Sequence, residues 1–139
     1  MKRPRRSSVD PHAWAAALTL ACALVALAAA SVYAVAAPET PTGDPVRGRT
    51  VYQLCMGCHS LDEDDVGPRH RGVVGRVAGT VPGYAYSRAL KNSHIVWGPD
   101  TLDRWLTNPQ ALVPGARMFF AMPSARARAD VIAYLTEQR

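Results

Sequence analysis

Several features are scarce in this 139-residue chain. Aromatic residues make up 7% of it, and nowhere do apolar and polar residues alternate as they would along a half-buried strand. That excludes an all-β fold and leaves no βαβ unit. Internal repeats and apolar heptads are also missing, so repeat arrays and coiled coils drop out. Three cysteines is an odd number, and no disulfide framework can use all of them. Lysine is nearly absent beyond the N-terminus, where Lys91 is the only one after Lys2. The formal net charge of +5 is therefore worth partitioning. Lys2, Arg3, Arg5 and Arg6 against Asp10 give +3 before residue 38, leaving only +2 for the rest. Most of the basicity precedes an apolar run, which argues against nucleic acid as a partner.

That run, Ala13 to Ala37, holds no charged residue. Cations followed by an apolar stretch are the mark of an exported or membrane-inserted N-terminus. Two readings stand for residues 1–37. Either Ala34-Val35-Ala36 is a small-x-small cleavage site and the segment is a removed signal peptide, or the run persists as an anchor, since about 20 apolar residues span a bilayer core. Both place the remainder across the membrane, in the bacterial periplasm, either free or tethered to the inner membrane. Cys22 within the run reads as a small apolar residue. Residues 38–42, rich in Pro and Thr, read as a linker, and residues 43–139 as the folded domain.

Within the domain, Asp44-Pro45 predicts a helix start, with an N-cap acceptor followed by proline at the first helical position. Val51, Leu54 and Cys55 continue at helical spacing. Residues 61–81 read as loop, with Gly67-Pro68, Gly72, Gly75 and Gly79. Leu102, Trp105 and Leu106 form the stripe of a short helix that Asn108-Pro109 ends. Pro114-Gly115 marks a turn, and a last helix is predicted over residues 126–138. Three or four short helices with long connections bury little apolar surface, and such small cores need a staple. The pattern predicts helices wrapped around a flat cofactor.

Cys55-Met56-Gly57-Cys58-His59 is a C-x-x-C-H motif, the attachment signature of haem c. Two vinyl groups on neighbouring pyrroles need two thiols about one helical turn apart, and the next residue then projects an imidazole toward the iron. Unmodified thiols or a disulfide, a redox-active dithiol and a zinc site are the alternatives. The dithiol lacks its βαβ setting, and zinc lacks a second pair of ligands because His70 and His94 are isolated. For a second axial ligand, Met1 is the start and Met56 lies too close to the attachment turn, leaving Met118 and Met122. The rigid turn Val113-Pro114-Gly115-Ala116-Arg117 favours Met118. Thioether ligation favours ferrous iron and raises the potential. A closed His/Met site offers no open position to a substrate.

The domain resembles the class I c-type cytochromes over nearly all of residues 43–139. The pieces stand in family order: Gly43-Asp44, Cys55–His59, Gly67-Pro68, Gly72-Val73-Val74-Gly75-Arg76, Pro82-Gly83-Tyr84-Ala85-Tyr86, Val96-Trp97, Leu102–Pro109, Pro114–Met118 and Ile132-Ala133-Tyr134-Leu135. The resemblance implies an all-α fold, three to four short helices around one covalently bound haem c. It implies thioethers at Cys55 and Cys58, axial ligands His59 and Met118, and a Pro68 carbonyl that accepts from the imidazole. Arg76, Tyr86 and Trp97 match positions that hold the haem propionates. Gly48 and Tyr134 match a close crossing of the first and last helices.

Some positions depart from the family. Trp105 stands where a tyrosine often bonds the methionine sulfur, and its indole N–H is an alternative donor. His70 replaces a leucine at the haem edge and reads first as a surface histidine, then as a propionate partner or a rival ligand. Ala116 and Leu90 each replace a polar residue near the ring, and a lysine ring for docking acidic partners is sparse. The resemblance implies a monomeric single-electron carrier, not an enzyme, that shuttles electrons between respiratory or photosynthetic partners such as membrane respiratory complexes or a terminal oxidase. The alternatives are a haem sensor with a displaceable Met118, which His70 keeps open, and a membrane-tethered cytochrome subunit of an oxidase or dehydrogenase.

Overall fold

The computed structural model of the protein describes residues 41–139. The apolar run and most of the linker, with the export-or-anchor expectation that rests on them, lie outside these residues. Among the described residues no helix is long and apolar enough to cross a membrane.

The chain runs through α1 (Pro45–Val51), a 3-10 turn (Tyr52–Leu54), α2 (Arg88–Lys91), α3 (Pro99–Thr107), α4 (Pro109–Leu112) and α5 (Ala125–Glu137). Asp44 starts α1 as its sequence predicts, with one carboxylate oxygen accepting from the backbone N–H groups of Val46 at 2.8 Å and Arg47 at 3.1 Å. The helix then tightens to 3-10 geometry at Tyr52 and does not carry on through Leu54. The three longer helices are the ones legible in the sequence. The expected three or four become five among the described residues, because α2 and α4 span four residues each. So short a helix barely completes one period, and its signal is a cap: Ser87 Oγ accepts from Leu90 N–H, and Asn108 Oδ1 accepts from Ala111 N–H. Asn108-Pro109 does end α3, and the same asparagine opens α4.

Where α1 crosses α5, Gly48 is buried. A Cβ there would overlap the Asp130 carbonyl and lie 2.8 Å from Tyr134 Cβ, so only glycine permits the approach. Buried Asp130 fastens the crossing. It accepts from Asp44 N–H at 2.8 Å and from Arg47 Nε and Nη2, each at 2.9 Å. These bonds, those from Arg47 foremost, hold its carboxyl below the usual range. On the other side of α5, Arg128 Nε donates to Asp103 of α3 at 2.7 Å. The only β pairing among the described residues is a bridge between Val77 and Val96. It sets Arg76 beside Trp97, whose N–H donates to the Arg76 carbonyl at 2.9 Å. Trp97, Leu102, Trp105, Leu106, Val131 and Leu135 belong to one core, and all six also line the cavity described next.

Candidate functional site: a cavity between an imidazole and a thioether

The cavity has a volume of about 300 Å³ and apolar walls. Cys55, Cys58, His59 and Met118 all line it. The attachment motif forms a helical turn: Cys58 N–H and His59 N–H both donate to the Cys55 carbonyl, at 3.1 and 2.9 Å. Both sulfurs are thereby brought to one wall. The thiols are not joined in a disulfide, and burial pushes the Cys55 thiol up to about 11. A redox-active dithiol needs the opposite shift, a lowered thiol. Among the described residues, no group of three or more His, Cys, Asp or Glu side chains could hold a metal ion, so zinc finds no ligand set.

His59 is fixed by the following loop. The Cys58 carbonyl accepts from Gly67 N–H at 2.7 Å, and the Pro68 carbonyl lies 2.7 Å from His59 Nδ1. A carbonyl can only accept, so the proton sits on Nδ1 and Nε2 keeps its lone pair. Burial lowers the imidazole pKa against the opposing pull of that carbonyl, which keeps the ring neutral. A Cβ on Gly67 would lie on the ring atoms, so this loop closes only without a side chain.

On the other side, Trp105 Nε1–H donates to Met118 Sδ at 3.1 Å. The indole thus takes the place of the phenol expected from the family pattern. Met122, the competing methionine, is buried in the core, its N–H bound to the Leu106 carbonyl at 2.7 Å, and it is not among the cavity-lining residues. The donors facing the cavity are thus a neutral imidazole nitrogen and a thioether, with two free thiols beside them. That set and those apolar walls fit a covalently attached haem.

No family model matches the chain. Among known proteins, it is 46% identical over 101 residues to cytochrome c2 of Rhodopila globiformis, covering 70% of this chain and 95% of that one. It is also 46% identical over 100 residues to cytochrome c2 of Rhodomicrobium vannielii, 69% of this chain and 80% of the relative. Cytochrome cH from Methylobacterium extorquens superposes with a TM-score of 0.66 at 40% identity, over 68% of this chain and 98% of that structure. The chain belongs to the class I c-type cytochromes. It carries one covalently attached haem c and works as a single-electron carrier with redox partners, not as an enzyme.

Arg76, Tyr86 and Trp97 of this cytochrome line the same cavity. Arg76 also fastens the loop after His59, donating from Nη1 to the Arg69 carbonyl at 2.9 Å and from Nη2 to the Arg71 carbonyl. Leu90 is on the cavity wall too. His70 is not the surface residue its sequence context suggests. Its ring stacks on His59 with centroids 4.0 Å apart and planes 20° apart. Its Nδ1 lies 3.2 Å from Tyr52 Oη, and burial lowers its pKa to about 3, so it is neutral. Tyr52 in turn packs on Tyr134, centroids 5.2 Å apart. The sequence did not announce this pairing of residues 52 and 70. Arg128, which its sequence position places with Arg117 and Arg126 near an exposed haem edge, is instead buried: its Nη1 donates to the carbonyls of Met122 and Pro123, both at 2.9 Å.

Proposed function

We propose that Cys55 and Cys58 bear the haem through thioethers, that His59 Nε2 and Met118 Sδ are its axial ligands, and that Arg76, Tyr86 and Trp97 hold its propionates. The bound haem supplies an iron that accepts and releases one electron without a bond to substrate. The protein's own residues do the rest. Pro68 holds the Nδ1 proton, keeping the His59 lone pair directed at the cavity and strengthening it as a donor. Trp105 draws density from the sulfur by hydrogen bonding, which weakens its donation to ferric iron and favours the ferrous state. The apolar walls exclude water from both ligands.

The observation that carries the proposal is this pairing, across one cavity shared with both thiols, of an imidazole tied at Nδ1 with a thioether tied at Sδ. A site closed on both sides suits outer-sphere transfer. The cytochrome is exported to the periplasm and meets membrane respiratory complexes or a terminal oxidase there, in short-lived encounters suited to a domain of small net charge. The charge asymmetry of residues 1–37 supports the export.

The visible spectrum of the oxidised protein, scanned into the far red, tests the ligand pair. A weak sulfur-to-iron charge-transfer band is expected. Haem bands without it would remove Met118 from the iron and end the closed-carrier reading. Haem that stays with the chain in acidified acetone checks the thioethers.

A further inference from the structure

The segment that carries Met118, residues 113–124, lies between α4 and α5 and contains no helix. Inside it one backbone hydrogen bond forms, from Ala116 N–H to the Val113 carbonyl at 3.1 Å, and Met122 N–H leaves it to reach Leu106. So irregular a stretch needs side chains to satisfy its backbone. Arg128 serves the distal end, at the carbonyls of Met122 and Pro123.

At the proximal end, where the sulfur is, Arg117 Nη1 reaches out to the Ala85 carbonyl at 2.9 Å and Trp105 holds the sulfur, but one side chain, Gln110, holds the backbone itself. Gln110 Nε2 donates to the Ala116 carbonyl at 2.8 Å and to the Met118 carbonyl at 2.9 Å. Gln110 Oε1 accepts from Gly115 N–H at 3.2 Å. Both amide protons and the amide oxygen are used, and the two carbonyls and one N–H allow no other orientation of the group. The glutamine is itself fixed, since it follows fully buried Pro109 in the first turn of α4, beneath the Asn108 cap. Its backbone is thus rooted in a capped helix, and its side chain grips the residue that bears the sulfur.

We propose that Gln110 is a positioning residue that holds the sixth coordination position shut. It makes Met118 hard to displace and keeps the protein a carrier and not a binder of small ligands. The proposal rests on Met118 being an axial ligand. An outside ligand can reach the iron only from the fraction of molecules whose Met118 segment has swung away, so its apparent affinity scales with that fraction. Three hydrogen bonds converging on one side chain keep that fraction low. Trp105 acts on the sulfur itself and sets its electron density; Gln110 acts on the backbone and sets how often the sulfur leaves.

The test uses the oxidised holoprotein, imidazole as the entering ligand, and the variants Gln110→Glu and Gln110→Ala. Glutamate keeps the size and can donate to neither carbonyl. The far-red band, the rate and affinity of imidazole binding, and the denaturant midpoint from far-ultraviolet circular dichroism are read for all three proteins. With the band present in the parent, both variants are expected to bind imidazole faster and tighter by about tenfold or more, with a far smaller change in global stability. Binding within about twofold of the parent overturns the proposal and leaves Met118 ligation standing. A gain no larger than the loss of global stability also overturns it, because Gln110 is then merely structural. Absence of the band in the parent overturns Met118 ligation, and the proposal with it. Should neither variant yield holoprotein, amide hydrogen exchange on the parent decides. Gly115 is exposed, so protection of its N–H has to come from Gln110 Oε1. Exchange there as fast as in an unstructured peptide excludes the clamp.

Discussion

On the His59 side of the haem cavity, the proposed ligand and the group that orients it lie nine residues apart, and the orienting group is a backbone carbonyl. On the Met118 side, the supports come from α4 and α3, eight and thirteen residues away respectively, and both are side chains. A backbone carbonyl survives any substitution that keeps the loop closed. An indole and a carboxamide can each be exchanged by one mutation. The imidazole side is therefore built to be constant, and the thioether side to be adjustable. With Met118 on the iron as proposed, potential and ligand exclusion would be set mostly by residues that the attachment motif does not contain.

The largest expected effect comes from removing the proposed adjustable ligand. Met118→Ala should lose the far-red band, bind imidazole readily and show a reduction potential lower by on the order of a few tenths of a volt. That is a fraction of the roughly 0.8 V that axial ligation spans. Spectroelectrochemical titration of the holoprotein measures it. A potential unchanged from the parent would show that the sulfur of Met118 is not on the iron.

Breaking the constant side requires an attack on the backbone. Gly67→Ala puts a methyl group where the His59 ring lies. Overpacking of this kind costs about 1–3 kcal/mol, and here the obstruction is a ring held by both its Pro68 bond and its His70 stack. Denaturant unfolding of the oxidised holoprotein should show a loss at the upper end of that range. If the alanine variant were as stable as the parent, the view of this loop as inflexible would be wrong.

The same contrast explains what was legible in the sequence. Cys55–His59 and Gly67-Pro68 are local features, and each names its own chemistry within a few residues. The start of α1 and the end of α3 were legible because Asp44-Pro45 and Asn108-Pro109 act on adjacent backbone. Met118 could be preferred over Met122 because a Pro-Gly turn precedes it. The supports of the thioether side were only partly readable. Trp105 was found through its place in a family pattern, whereas Gln110 sits in a one-turn helix whose only signal is the Asn108 cap. Tyr52 and His70 are 18 residues apart and touch through tertiary packing, which no periodicity records. His70 was misjudged for a related reason: a polar residue in a Gly-rich loop reads as exposed until a hydrogen-bond partner from another element is known.

A smaller effect separates tuning from holding. Trp105→Phe keeps the ring and removes the N–H donor to Met118 Sδ. A net hydrogen bond of about 1 kcal/mol that favoured only the ferrous form corresponds to about 40 mV for a one-electron couple. The potential should fall by roughly that amount, with the far-red band retained because Gln110 still holds the backbone. Loss of the band would mean that the indole holds the ligand in place as well as tuning it.

The smallest change expected in the potential is on the imidazole side. Tyr52→Phe leaves the stack of His70 on His59 and deletes the phenol that lies 3.2 Å from His70 Nδ1. Leaving a part-buried nitrogen without its partner costs at most the roughly 1–3 kcal/mol of a buried group, so the variant should unfold at lower denaturant while its potential stays within measurement error of the parent's. Replacing both partners, Tyr52→Phe with His70→Leu, removes the orphaned group, and paired apolar replacements are close to neutral. The double variant should therefore recover most of the stability lost by Tyr52→Phe, an interaction a double-mutant cycle resolves directly. A potential that moved with Tyr52→Phe would place the phenol in the electronic environment of the iron through the stacked rings. The imidazole side would then be adjustable too, and the division of labour between the two sides of the cavity would have to be abandoned.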